Sequence, residues 1–207
     1  MNIRSLRAVM LGLVLGGLVV GAALPAQAAS LSWDDAVGDA TDAGVGAAVL
    51  PNDAAYDIAK VSLSNDGGQL NWSVAIPGLA DGTPALSTGY NFRLAFTHDG
   101  GTYWFKVSED VSGAQAFALS ATATGSAALP CDKCVGKIDR EAKAVVVAAP
   151  LASLDKALKA AEAAPATGSE WSVIYVIAQR PISVPGAGGV TLTADQADAP
   201  EGAILAF

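Results

Sequence analysis

The strongest constraint in this sequence is a period of two. Over residues 90–97 and 102–108 apolar and polar side chains alternate on either side of His98-Asp99-Gly100-Gly101. Folding the two runs together about that turn sets Phe96 opposite Tyr103, Leu94 opposite Phe105 and Phe92 opposite Val107. All three apolar pairs then share one face, and a slip of one residue would turn the whole set to solvent, so burial dictates this register. The other face carries Ala95 beside Trp104 and Arg93 beside Lys106. A second hairpin is expected from 57–64 into 69–76 through Asn65-Asp66-Gly67-Gly68, with Leu70, Trp72, Val74 and Ile76 on one face and Trp72 in the core.

Further strands are expected at 115–121, 135–138, 143–149, 171–179 and 190–193. One helix interrupts them near 151–163, where Leu151, Leu154, Leu158 and Ala161 form a stripe at helical spacing and Lys156, Lys159 and Glu162 take the solvent side. Short strands, Gly- and Pro-rich turns and a single connecting helix predict an all-β, mainly antiparallel fold. The expected architecture is an immunoglobulin-like or jelly-roll-like β-sandwich. No internal repeat or linker divides the chain, so one domain is expected.

Residues 1–28 read as a secretory signal peptide rather than as part of the fold. Arg4 and Arg7 give a basic start, 9–24 is an apolar run broken by glycines, and Ala26-Gln27-Ala28 offers small residues where a signal peptidase reads. The sixteen-residue run is shorter than the roughly 20 residues that span a bilayer, and no later segment is apolar enough to span. The domain is therefore expected over 29–207, secreted, extracellular or associated with the cell envelope. It retains ten basic against twenty acidic residues, a formal charge of −10. Such a surface repels phosphate, which argues against a nucleic-acid partner.

An exported chain also sets the reading of Cys131-Asp132-Lys133-Cys134. In a cytosolic context C-x-x-C suggests a redox site, whereas in a secreted protein it reads as a structural disulfide. Pro130 precedes the pair and Gly136 follows, with no helix beginning at Cys131 to lower a thiolate pKa. Two thiols cannot complete a zinc site.

Familiar catalytic signatures are missing. His98 is the single histidine and sits in a hairpin turn, with no G-x-S-x-G elbow to support a triad. Neither Gly44-Val45-Gly46 nor Gly186-Ala187-Gly188 continues into a phosphate-binding fingerprint. A glycosidase needs only two carboxylates, so motif alone leaves that class open.

The most informative constellation is acidic and split between distant parts of the chain. Trp33-Asp34-Asp35-Ala36-Val37-Gly38-Asp39 is followed by Asp57-Ile58 at a strand entry, and Asp198-Ala199-Pro200 comes late. These motifs resemble the D-x-x-G-D opening, D-I strand entry and late D-x-A element of DOMON-like β-sandwiches related to family 9 carbohydrate-binding modules, common in secreted actinobacterial proteins. The resemblance implies that the two terminal segments meet and that Asp35, Asp39, Asp57 and Asp198 help to hold calcium. Physically, Ca²⁺ takes six to eight oxygen ligands, and extracellular modules bind it at roughly 10⁻⁴ to 10⁻³ M. The alternative is that these aspartates cap turns and strand ends, and both readings stand at this point. The spacing does not fit an EF-hand loop.

Another branch of that group holds haem through methionine and histidine. Met1 and Met10 both fall in the signal segment, so no haem is expected. Trp104, with Arg93 and Lys106, is the candidate ligand surface, where an indole can stack on a sugar ring or under a guanidinium. The alternative for Trp104 is packing beneath a neighbouring loop. The sequence thus leads to a non-catalytic binding or cell-envelope module, with carbohydrate as the ligand suggested by resemblance. An extracellular hydrolase of envelope polysaccharide or peptide is the competing class, and a purely structural surface protein the third.

Overall fold

Both expected hairpins are present, and each turns on two residues with positive φ. The computed structural model describes residues 30–40, 44–45, 48–49, 54–79, 87–122, 127–184 and 188–207, so the signal segment and the cut after Ala28 lie outside the described residues. The first hairpin joins β4 (Lys60–Asp66) to β5 (Gln69–Ala75), and the second joins β6 (Gly89–His98) to β7 (Gly101–Asp110). Gly67 and Gly68 (φ 58° and 79°) make one turn; Asp99 and Gly100 (φ 48° and 73°) make the other. Left-handed geometry at both central residues matches the twist of the flanking strands, which is why Asp-Gly and Gly-Gly serve there. The β6–β7 register pairs Phe96 with Tyr103, Leu94 with Phe105, Phe92 with Val107, Ala95 with Trp104 and Arg93 with Lys106, as the alternation predicts.

The remaining strands are β1 (Ser30–Asp34), β2 (Gly44–Val45), β3 (Ala48–Val49), β8 (Gln115–Ser120), β9 (Ala128–Leu129), β10 (Val135–Asp139), β11 (Ala144–Pro150), β12 (Glu170–Val184), β13 (Gly188–Asp198) and β14 (Ile204–Ala206). Two antiparallel sheets result. One runs β1-β4-β5-β11-β10; the other runs β13-β12-β6-β7-β8-β9, with β14 also pairing β12. The fold is therefore a mainly antiparallel all-β sandwich, with β2 and β3 forming a small separate ribbon.

The two inner faces supply the core. Val61, Leu63, Leu70, Trp72, Val74, Val145 and Val147 come from the five-stranded sheet, and Phe92, Leu94, Phe96, Phe105, Val107 and Val176 from the other; all are buried. Each such side chain contributes about 1.5–3 kcal/mol on leaving water. Trp171 stacks flat on Phe96 at 4.2 Å between ring centroids. Gly136 faces this core without a side chain, and a Cβ there would lie 2.7 Å from both Phe117 and Val107. Close approach of β10 to the opposite sheet therefore depends on glycine.

The helix, α1 (Leu151–Ala160), buries Leu151, Leu154, Ala157 and Leu158. It ends earlier than its apolar stripe suggests: Ala161 is the C-cap, and Glu162 after it takes a left-handed φ of 59°. Among the described residues no helix is long and apolar enough to cross a membrane.

Candidate functional site

Asp57 and Ile58 organise the acidic region from the centre outward. The Asp57 side chain is buried and accepts the Gly38 N–H on both carboxylate oxygens, at 3.0 and 2.8 Å, with a longer bond from the Ala40 N–H at 3.4 Å. The segment after β1 thus wraps around one carboxylate, and Gly38 makes the turn at φ 91°. The next residue in the chain faces another acid: the Ile58 N–H donates to Asp195 Oδ2 at 2.6 Å.

Asp195 reaches this position through a bulge in β13. Ala178 pairs with Asp195 whereas Gln179 pairs with Thr193, leaving Ala194 as the extra residue. Such an insertion re-aims side chains, and Ala194 and Asp195 are both buried. The outcome is a group in which Asp35, Asp39 and Asp195 each offer a carboxylate oxygen, all within 4.8 Å of one another. It lies where the β1 edge of one sheet comes near the β13 edge of the other.

The electrostatics of the group are strained. Burial pushes the Asp195 carboxyl up to about 6, against the lowering effect of the Ile58 and Gln196 N–H groups, while Asp35 and Asp39 add like-charge repulsion. Burial also raises Asp35; the Ala36 N–H opposes this, and Asp39, Asp57 and Asp198 push the same way as burial. Asp35 Oδ2 is buried without a hydrogen-bond partner. Among the described residues no lysine or arginine pairs with any of the three acids. A hard oxygen set with one open, buried oxygen and excess negative charge fits Ca²⁺.

Of the four aspartates expected to hold the ion, Asp35 and Asp39 join the group. Asp57 and Asp198 do not. The Asp57 carboxylate lies outside the converging set, and its bonds to the Gly38 and Ala40 N–H groups shape the loop that carries Asp35 and Asp39. Asp198 is exposed and accepts from Gln196 Nε2 at 2.7 Å on the outward side of β13. Asp195 is the residue that sequence reasoning missed, and period two identifies it: Asp195 alternates with buried Ala197, whereas Asp198 alternates with exposed Gln196.

Trp104, Arg93 and Lys106 are brought together on the outer face of the larger sheet. Cross-strand pairing aligns Tyr175, Ala95 and Trp104 in one row and Ile177, Arg93 and Lys106 in the next. Trp104 and both cations are half-buried. Burial lowers the pKa of Arg93, with Tyr175 acting in the raising direction, and burial together with Arg93 lowers that of Lys106. Beside Lys106 a cleft of about 300 Å³ runs over Thr88, Asn91, Ser108, Pro181 and Thr191.

Two acids also border that cleft. Glu109 is buried and held by both Arg140 guanidinium nitrogens, one at 2.8 Å, and by Gln115 Nε2 at 2.7 Å. Arg140 above all keeps its carboxyl below the usual range, against burial and with help from Gln115. Asp110 is also lowered, by the Ser112 hydroxyl and then by the Ser112 and Ala114 N–H groups of its own turn.

The other singled-out residues have structural partners. Cys131 and Cys134 form a disulfide. His98 is buried, with Nε2 2.8 Å from the Ala164 carbonyl and its ring against Trp171, while Asp99 accepts the Ala164 N–H at 2.8 Å. The hairpin tip therefore clasps the segment after α1. No family model matches the chain, and no curated protein matches it.

Proposed function

We propose that this protein is a secreted, non-catalytic binding module of the cell envelope, stabilised by calcium and directed at carbohydrate. The observation that carries the calcium part is the Asp35, Asp39 and Asp195 group, whose oxygens converge within 4.8 Å while Asp35 Oδ2 lies buried and unpartnered. A divalent cation replaces mutual repulsion by attraction, and it binds the native form alone, because only folding brings β1 and β13 together. Carbonyl or water oxygens would complete the shell. The resemblance of the aspartate motifs to DOMON-like sandwiches points the same way.

The binding part rests on Trp104, Arg93 and Lys106 beside an open cleft. Its two acids do not suit glycoside hydrolysis, since a general acid there needs a raised pKa and Glu109 and Asp110 are both lowered. The hydrolase reading finds its best support elsewhere, in the raised pKa values of Asp195 and Asp35. Against it, Asp195 is 7% exposed, and each of its oxygens already accepts a backbone N–H. A buried carboxylate that converges with two others suits an ion better than a substrate.

Thermal melting of residues 29–207 in excess EDTA and in 10 mM Ca²⁺ tests the proposal. With Kd near 10⁻⁴ to 10⁻³ M, calcium should add about 1.4–2.7 kcal/mol. That corresponds to a rise in Tm of about 3–10 °C. An unchanged Tm removes calcium from the proposal.

A further inference from the structure

β13 ends the larger sheet and, among the described residues, pairs on one side only, with β12. Sheet edges are ordinarily guarded by charge, brevity or proline, and the other end strands of the two sheets follow that rule. β9 has two residues, β10 carries Lys137 and Asp139, and β1 ends in Asp34 with Asp35 after it. From Gly188 to Ala194 the β13 edge has neither a charged residue nor a proline. Gly189, Thr191 and Thr193 are exposed, and the bulge at Ala194 comes only after them.

Pro181 shows which backbone groups of β13 face outward. Its carbonyl accepts the Thr88 N–H at 2.7 Å, on the β6 side of β12 and away from β13. In an antiparallel strand the N–H and C=O of one residue point to the same side, and that side alternates along the chain. Pro181 pairs with Thr191, so the two form a non-hydrogen-bonded pair, and Thr191 turns its own N–H and C=O to the free edge. Alternation gives Gly189 and Thr193 the same outward direction. None of these groups has a partner among the described residues.

We infer that β13 pairs antiparallel with β13 of a second copy of this chain, about a two-fold axis at Thr191, joining the two larger sheets into one. In this register Thr191 faces the partner's Thr191 and Gly189 faces the partner's Thr193, so every outward N–H meets an outward C=O. Val190 faces the partner's Leu192. Both lie half-buried on the inward side, opposite Ile182 and Arg180, and the pairing covers them further. Threonine beside threonine and apolar beside apolar are favourable cross-strand pairs. The nearest acid, Asp195, is buried and lies beyond the paired stretch, so the run meets its own copy without like charges in opposition. That self-complementarity selects a second copy over a foreign strand. Thr191 also lines the cleft beside Lys106, so the pair sets two such clefts side by side on one continuous sheet.

Sedimentation velocity of the folded protein over a rising concentration series tests the pairing, and the mass should shift from that of the monomer to twice that value. Thr191→Pro removes an N–H that β12 does not use, at an edge position where proline is tolerated, so the variant should keep its Tm and lose the dimer. Thr191→Lys sets two ammonium groups opposite each other and should also give a monomer at low salt, with part of the dimer returning as salt rises. Cysteine cross-linking reads the register, since Cys131 and Cys134 are bonded to each other and leave no competing thiol. Cα atoms about 5.5 Å apart in a hydrogen-bonded pair lie within disulfide reach. Oxidised Thr191→Cys should therefore form a covalent dimer, whereas Thr193→Cys, displaced along the strand from its own copy, should not. A protein that stays monomeric at every concentration overturns the inference and leaves the edge to a foreign extended peptide. A dimer unchanged in both Thr191→Pro and Thr191→Lys places the interface elsewhere and overturns it too. Cross-linking of Thr193→Cys in preference to Thr191→Cys overturns the register.

Discussion

Two buried acids stand beside opposite edges of the five-stranded sheet, and the chain treats them differently. Near β10, Glu109 of the larger sheet meets Arg140, which follows that strand, and Gln115 adds a donor while also bonding the Ile138 backbone at 3.1 and 2.9 Å. Near β1, Asp195 of the larger sheet meets the Ile58 N–H together with two further aspartates. Both acids cross the sandwich. The first carries its counter-charge within the chain, and its pKa falls below the ordinary value; the second meets two further acids and no cation among the described residues, and burial first, then those acids, raise its pKa to about 6. Burial costs free energy in both cases, and the difference lies in the counter-charge. One edge is closed by folding alone; on the proposed reading the other takes its cation from solution.

Removing the internal cation should have the largest effect. Arg140→Ala leaves a carboxylate 2% exposed without its partner, and breaking such a pair costs about 3–5 kcal/mol. Denaturant unfolding at pH 7 should show this loss, and the further change Glu109→Gln should recover much of it by removing the stranded charge. A loss below about 1 kcal/mol would show that the pair is as weak as an exposed one, and the contrast between the two edges would disappear.

The second test reverses the sign. Asp195 is raised from 3.8 to about 6, so the folded protein holds this proton over a range where the unfolded chain has released it. Its contribution is fully present below pH 4 and is lost as pH rises through 6, amounting to about 3 kcal/mol in EDTA. Glu109 runs the other way, its stabilisation being lost as pH falls. Comparing the parent with Asp195→Asn isolates the first effect. In EDTA the variant should gain on the parent between pH 4 and 7, because asparagine still accepts the Ile58 N–H and carries no charge. In 10 mM Ca²⁺ at pH 7 the gap should close by about 1.4–2.7 kcal/mol, because only the parent gains from the ion. A constant difference across this range would mean that Asp195 is not the repelled group.

How much of this was legible depended on whether neighbouring chain or distant chain decided the matter. The β6–β7 hairpin could be read residue by residue because its turn and alternation are local and a slip would expose Phe92, Leu94 and Phe96 together. The helical stripe was equally plain, though its end at Glu162 depended on one left-handed residue that the apolar spacing does not encode. The edge strands β1 and β14 were not anticipated: Ser30–Asp34 is short and Ser-rich, and it becomes a strand by pairing with β4 thirty residues away. At the acidic site, motif spacing found Asp35 and Asp39 but could not separate an acid that binds from an acid that builds. Asp57 has the residue type of a ligand, yet it lies outside the converging group and holds the Gly38 and Ala40 amides instead.

The smallest expected effect draws the sharpest line at the acidic edge, because it separates two aspartates three residues apart. Asp198 matches the late acidic motif and acts on Asp35 through space, yet it is exposed and bonds to Gln196 on the outward side of β13. Asp195 carries no such motif and points inward because the bulge at Ala194 adds one residue to the strand. If position in the fold selects the ligands, Asp198→Asn should leave the calcium-induced rise in Tm close to that of the parent. Removing a charge that acts only through solvent alters the attraction of the site slightly, and less so at higher salt. Asp195→Asn should abolish most of the rise under the same conditions. The opposite ranking would place the ion on the outward side of β13, and the buried Asp195 would then be a costly strand-edge acid with the Ile58 amide as its main compensation.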